Sequence, residues 1–586
     1  MSEASVLTNR STDLVTYTIL VDGTEISAAY EILSIMMNKE INRITLAKII
    51  LADGSVSEKD FSVSNTEDFV PGKEIELKAG YHSEEEQIFK GIIIKHGIKT
   101  KSGKRSILEI ECRDKAIKLT GARHSAYYSQ IKDSDLLTDL IEKYSLEADV
   151  ETTNLEHPEI VQYNCTDWDF LINRAEVNGL IAVNDGGSIK ISAPDLSQDS
   201  VLTLTYGTSI LEFEAEMDVR NQLSTVTSHS WDFTTQELVE EEASAPSFDN
   251  TGNIPVEDLS EVVNSEGYKM YHGGELEIEE LKAWADARLL KSYLAKIRGR
   301  VRIDGYSGIQ PDNIVTLEGV GDRFNGDAYV SGVVHQIFKG TWITDIQLGL
   351  SPQWFSKSDD IMDTPAGGLL PAIQGLHIGK VVQIGEDEQE GDHRILVKIP
   401  FIEEDGGTDA KGVWARVSNV FAGENKGMVF RPELDEEVLL GFINGDPRDP
   451  VIMGSLHSNV DTAPIEASDD NFEKGIYTKG GMKISFDDDK KTLLIKTESG
   501  NSIMLSEENG EIAMDDENGN SVKLNSDGIS LESAKDIILK ASGDVKIEGV
   551  NVEAEANASL TLKGSAAAEL NSSGNTTVKG SMVMVN

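Results

Sequence analysis

Apolar and polar residues alternate with a period of two through most of the first 360 positions. Residues 16–21, 74–79 and 106–112 each read as half-buried strands. Three stretches switch to helical spacing. Residues 134–144 place Leu136, Leu137, Leu140 and Ile141 on one face. Residues 166–169 (TDWD) have the form of a capping box, opening a helix that carries Phe170, Leu171 and Ala175 and ends near Gly179. The third helix, from Leu276 to about Ile297, is long and amphipathic and stops before Gly299. Residues 237–275 are acidic, contain Pro, Gly, Ser and Asn, and show weak periodicity. They are expected to form a solvated surface loop or insertion.

The pattern divides the chain. Residues 1–355 form a first region of strands with a few helices, and 356–373 are linker-like. Within 374–460, short strands are expected at 378–384, 394–399, 413–417, 428–430, 437–442 and 451–454. That many short strands in so little chain suggest a small closed barrel, of which an OB-fold is one option. A second linker, 461–474, precedes a segment of different character. From 475 to 586 the chain repeats short alternating patches centred on Leu494, Ile503, Ile512, Val522, Ile529, Ile537, Val545, Val552 and Leu560, seven to ten residues apart. Turn-formers such as Glu508–Asn509–Gly510 and Ser526–Asp527–Gly528 separate many of them. This recurrence is one strand plus one turn, too short for a helical repeat.

After Phe486 there is no aromatic residue, Pro, Cys or His, so each strand brings a thin apolar stripe and no large side chain. A single such chain has open edges and one uncovered stripe. Several identical chains wound about one axis would bring the stripes inside and pair the edges, and three is the smallest such prism. The expected product is a narrow, stiff needle, acidic outside.

Composition removes several function classes. With 53 Lys+Arg against 101 Asp+Glu the formal charge is −48, which repels nucleic acid and anionic lipid alike. Aromatics in the 374–460 barrel (Trp414, Phe421, Phe430, Phe442) lack a basic surround and are assigned to the core or to a threefold interface. Cys112 and Cys165 are too few for a disulfide framework and read as buried thiols. The first residues have no apolar core of a signal peptide, so assembly is expected in the cytoplasm. No HExxH, GxSxG or phosphate-binding glycine loop is present, and the ten His are scattered. No enzyme activity, cofactor or metal is expected. The acidic runs 487–489 and 516–520 lack the ordered spacing of a calcium loop and are read as hairpin turns.

Residues 421–458 (FAGENKGMVFRPELDEEVLLGFINGDPRDPVIMGSLHS) with the strand around Trp414 resemble the OB-fold signature of VgrG, the trimeric spike family of type VI secretion, shared with phage tail spikes and extracellular contractile injection systems. The signature positions are Trp414, Arg431, Pro432, Gly441, Phe442, Gly445, Asp446, Pro447 and Gly454. Upstream, residues 112–116 (CRDKA) and 166–171 (TDWDFL) resemble the hub half of that family. The ending Ser581–Met582–Val583–Met584–Val585–Asn586 resembles the blunt needle end that seats a PAAR-type tip protein.

The resemblance implies a mainly β fold with phage-hub-like β-barrel domains, an OB-fold neck and an intertwined trimeric β-helix needle. It implies a membrane-puncturing spike in which a homotrimer links an Hcp-like inner tube and baseplate proteins to the tip and helps deliver effectors, contacting the target membrane on firing. Ejection to the extracellular space or target cell follows. A phage-type spike with cell-wall hydrolase activity and a receptor-binding fibre are the alternatives. The first is disfavoured because only about 20 residues separate His457 from Gly480, too few for an inserted domain. The second leaves the hub and barrel blocks unexplained.

Overall fold

The computed structural model describes residues 5–6, 14–247, 251–358, 360–385, 393–403 and 412–585. The chain forms two compact units. One is Met1–Ile373 with Asn444–Pro447; the other is Gln374–Ile443 with Arg448–Asn586. Each is mainly β, as the alternating pattern predicts.

In the first unit, strands Ile32–Glu40, Leu46–Ala52, Ile107–Arg113, Glu84–Lys99, Glu74–Tyr81 and Thr16–Val21 follow one another as antiparallel neighbours. Their inward residues, among them Ile35, Ile49, Leu77, Phe89, Ile110 and Cys112, make one core. Gly326–Phe338 extends the sheet from Ile32–Glu40 and carries Thr341–Leu348 and Ile314–Glu318 on its edges. A second core of Leu204, Val301, Val315, Val330 and Ile346 forms there. Trp342 caps the first core, stacked on Tyr81 with ring centroids 5.5 Å apart.

Gly305 lies under that indole: a Cβ built on it would sit 2.0 Å from Trp342 Cδ2, while its N–H donates to the Trp342 carbonyl. Gly305→Ala is therefore expected to destabilise this unit by about 1–3 kcal/mol by overpacking. A lowered unfolding midpoint with unchanged denaturant slope would show it.

The helices sit close to their expected places. Asp133–Glu142 and Asp167–Val177 bury Leu136, Leu137, Leu140, Ile141, Phe170, Leu171 and Ala175 in a third core. Thr166 is the N-cap, its hydroxyl oxygen accepting from the Asp169 N–H at 3.0 Å. Ile278–Leu294 is the long helix. Gly299 does not stop it: the helix ends at a cap on Ala295, and Gly299 lies inside strand Ile297–Asp304. There a Cβ would meet the Glu214 carbonyl oxygen of the neighbouring strand at 2.1 Å, so the glycine serves close strand approach. Cys165 is only half-buried, unlike Cys112.

The acidic stretch 237–275 is not a solvated loop. Glu237–Glu242 pairs antiparallel with Val226–Asp232, and Tyr268–His272 pairs with the same strand in parallel. The short helix Val256–Ser260 buries Val256 and Leu259. Acidic residues cover the outside while Val226, Val256 and Met270 pack on Ala285 and Leu289 of the long helix. That core is supplied largely from outside the stretch, which is why the stretch alone shows no period.

In the second unit, strands His377–Gln383, Ile395–Lys398, Val413–Val417, Pro450–Ser455 and Glu437–Phe442 close into a five-stranded barrel in that order. Val381, Ile395, Val397, Ala415, Val438, Leu440 and Ile452 fill it. The strand expected at 428–430 is absent. A small hairpin, Ala422–Gly423 with Lys426–Gly427, turns through Asn425 at φ 53° instead; the Met428 N–H donates to the Phe421 carbonyl at 3.2 Å, and the chain beyond runs outside any strand toward Pro432. Seven strands from Glu473–Tyr477 to Gly528–Glu532 then form an antiparallel meander, each paired with its successor. No strand lies between 533 and 585.

Candidate assembly surfaces

The meander is one-sided. Its register lines up Ile476, Ile484, Ile495, Ile503, Met514, Val522 and Leu531 as a continuous row across all seven strands. Two positions along, Phe486, Leu493, Leu505, Ile512, Leu524 and Ile529 make a second row on the same face. The opposite face carries Ser485, Leu494, Met504, Ala513, Lys523 and Ser530. Leu494 therefore belongs to a different face from Ile503 and Ile512, although all three mark the sequence repeat. Most residues of both rows remain more than a third exposed, Leu493 and Val522 less, and the second row lines an open concavity of about 960 Å³. An apolar face of this extent without cover is what a protein keeps for a partner surface.

The turns between these strands are built from their own acids. Asp516 accepts from the Asn518 and Asn520 N–H groups at 2.9 and 2.8 Å, and those bonds hold its carboxyl low, at about 2. Asp487 likewise accepts from the Lys490 N–H at 2.9 Å. Both acidic runs are thus hairpin turns. Because each strand here finds its neighbours in its own chain, the shared element between copies would be the face rather than the strand edges.

From 534 to 585 every residue is exposed. Ile537, Val545, Val552 and Leu560 continue the apolar recurrence, but no ladder pairs them within the chain. Ser581, Met582, Val583, Met584 and Val585 end this stretch in the open; Asn586 lies outside the described residues.

The barrel signature splits into structural roles. Trp414 sits half-buried opposite Leu396. Gly441 and Phe442 lie opposite Val451 and Pro450, and Phe442 meets His377 edge-on with centroids 5.9 Å apart. Gly454 faces Leu439. Gly445 holds φ 70°, a conformation that favours glycine, and its carbonyl accepts from the Ile373 N–H at 2.8 Å. Asp446 is buried beside Pro447. Arg431 is exposed after the hairpin, next to Phe421, Val429 and Phe430, while Pro432 beside it is buried. Phe421 and Phe430 are thus not core residues, which leaves them to an outer contact.

The two hub motifs are buried braces. Asp114 accepts from the Ala116 and Gly187 N–H groups, joining residues 112–116 to the hairpin of Ile181–Asp185 and Ser188–Ser192. Burial raises its carboxyl above the usual range despite those bonds. Asp167 is fully buried, yet hydrogen bonds from Gln162, Lys143 and Tyr144 outweigh burial and hold it below its usual value. Sequence reasoning missed a larger cluster around Arg174, about two turns further along the same helix. Asp133 receives Arg174 Nε and Nη2 at 2.7 and 2.8 Å, His157 Nε2 at 3.0 Å and Asn178 Nδ2 at 2.9 Å, and Arg174 also reaches Glu280 at 3.1 Å. These residues come from four separated elements, so only the fold could reveal them. Among the described residues no group of three or more His, Cys, Asp or Glu is arranged to hold a metal.

Among curated proteins, the chain is 28% identical over 201 residues to the type VI secretion system spike protein VgrG1a of Pseudomonas aeruginosa, covering 32% of this chain and 31% of that protein. It is 29% identical over 125 residues to the spike protein VgrG3 of Vibrio cholerae, covering 20% and 12%. The chain thus spans less than a third of the length of these relatives. Among solved structures, a tail protein from Neisseria meningitidis aligns over 58% of this chain and 98% of its own, at 14% identity and TM-score 0.43. A chain of a Francisella PdpA–VgrG complex aligns over 89% of this chain and 80% of its own, at 11% identity and TM-score 0.38. Residues 377–457 match the family described as the type VI secretion system/phage-baseplate injector OB domain, which coincides with the five-stranded barrel. Residues 11–339, more than half of the sequence, match the Alg8 N-terminal domain, and the chain belongs to that family.

Proposed function

We propose that this chain is the structural spike of a contractile injection system, acting as a homotrimer. Residues 1–355 form the hub that meets an Hcp-like inner tube and baseplate proteins. Residues 374–460 are the OB-fold neck between linkers 356–373 and 461–474, and 475–586 are the needle. The role is mechanical: contraction drives the tube, and the needle concentrates that force on a small tip at the target membrane. The trimer assembles in the cytoplasm and leaves with the ejected particle, carrying a PAAR-type tip and its effectors.

The observation that carries this reading is the doubly apolar, uncovered face of the meander followed by more than fifty exposed residues of unpaired apolar recurrence. Three copies would bury those faces against one another and pair residues 533–585 between chains as an intertwined β-helix. VgrG spike proteins among the curated relatives support the same assignment.

The test is the mass of the purified full chain by light scattering. Three times the chain mass of 63.9 kDa is expected, and a chain ending at residue 472 should be monomeric. A monomeric full chain would end the spike reading. Deleting 581–586 should abolish capture of a PAAR-type tip protein while leaving the trimer mass unchanged, because the open apolar end is the seat. Undiminished capture would refute that role for Ser581, Met582, Val583, Met584, Val585 and Asn586.

A further inference from the structure

The sheet made by Glu237–Glu242, Val226–Asp232 and Tyr268–His272 has the middle strand, Val226–Asp232, in contact with both others. Side chains on a strand alternate between faces. One face is used by the long helix: Val226 and Met270 pack on Ala285 and Leu289, and the Ser228 hydroxyl donates to the Leu281 carbonyl at 2.8 Å. Thr227, His229 and Trp231 occupy the other face. Across the ladder Trp231 lies opposite Leu238, His229 lies between Glu240 and Tyr271, and Thr227 lies between Glu242 and Lys269. Trp231, Leu238, Glu240, Glu242 and Tyr271 are all exposed.

Two observations set this face apart from an ordinary solvated surface. His229 is 6% exposed, stacked on Tyr271 with centroids 4.8 Å apart, and neither ring nitrogen has a hydrogen-bond partner among the described residues. The nearest carboxylate oxygen, Glu240 Oε2, is 3.6 Å from Nδ1. Buried polar groups without partners are uncommon and cost stability, so the face is incomplete in the isolated chain. The second observation is the pairing of aromatic rings with carboxylates. Trp and Tyr faces attract cations, and Glu240 and Glu242 stand beside them, with Lys269 the one cation that the ladder sets on this face among the described residues.

We propose that this face docks a cationic segment of a different protein, with arginine or lysine side chains laid over Trp231 and Tyr271 and paired with Glu240 and Glu242. A second copy of this chain fits badly, because 101 acidic residues against 53 basic ones would mostly set carboxylate against carboxylate. The inference does not depend on the spike reading; it concerns only the first unit.

The test uses the full chain and a short fluorescent peptide alternating arginine and serine, with a glutamate–serine peptide as control. An acidic protein attracts any cationic peptide, so the variants and the exchange map locate the binding. Trp231→Ala combined with Tyr271→Ala should weaken binding about tenfold. Glu240→Lys, which leaves both rings in place, should also weaken it, and bound peptide should slow amide exchange in 226–242 and 268–272. Affinity unchanged in both variants, or protection confined to the needle, overturns the proposal. A fall in assembly mass in the Trp231/Tyr271 variant overturns it too, by assigning the face to contact between copies.

Discussion

Asp133→Ala will destabilise the first unit by about 3–5 kcal/mol, because it leaves a guanidinium buried without its main partner. Arg174 keeps only one carboxylate, Glu280 at 3.1 Å, with the imidazole Nε2 of His157 at 3.2 Å, and its side chain is 17% exposed. His157 loses its Asp133 partner at the same time, and Asn178 is left with only the Arg174 carbonyl at 3.0 Å. Asp133→Asn should cost less, since it preserves shape and one acceptor. Replacing Asp133 and Arg174 together by apolar residues of similar volume should recover most of the loss, and the double-mutant cycle would measure the coupling.

The sign of the pH effect also follows. Burial alone would raise the Asp133 carboxyl, but the bonds from His157, Arg174 and Asn178 win and hold it well below its usual range. Its contribution is therefore present above the unfolded value near pH 4 and is lost as pH falls below that. Hydrogen exchange in Asp133–Glu142 and Asp167–Val177 would read both effects. Equal exchange in wild type and variant would show that the cluster does not brace these helices.

The meander from Glu473 to Glu532 was largely legible because its information is local, whereas the same recurrence beyond it forms no strand within the chain. Period two in each patch, Gly at the turns and the absence of large side chains specify strand, turn and thin stripe without distant contacts. Even so, the face assignment of Leu494 needed the ladder register, since a one-residue slip moves a side chain to the other side. The helix starting after Thr166 was legible for the same local reason, through its cap. Residues 428–430 misled because an apolar run has strand propensity whether or not a neighbour exists to pair it. The 237–275 stretch misled in the opposite direction, because its core partners Ala285 and Leu289 lie beyond it. The Asp133 cluster was invisible: its donors lie 24, 41 and 45 residues away, and Asp, Arg, His and Asn are too common for coincidence in sequence to mean contact.

His335 should give the first unit a separate acid weakness at milder pH than the carboxylates do. It is 2% exposed on strand Gly326–Phe338; Nδ1 lies 2.9 Å from the Thr344 hydroxyl and accepts from the Trp342 Nε1–H at 3.4 Å. A nitrogen that accepts from an indole N–H must be unprotonated. Burial, with the Lys39 ammonium nearby, pushes the imidazole down to about 3. A histidine depressed in the folded state favours folding fully above its unfolded value near 6.5, and that advantage is lost as pH falls toward the folded value. At about pH 5 the loss is roughly 2 kcal/mol, from one and a half pH steps at 1.36 kcal/mol each. His335→Gln, which keeps an acceptor for Trp342 but cannot take a proton in this range, should therefore show a flatter stability profile between about pH 7 and 4, whatever its offset at neutral pH. The Asp133 contribution falls below that window, so the two groups separate on one titration. Parallel profiles for wild type and His335→Gln would mean that the unfolded and folded states protonate this imidazole alike.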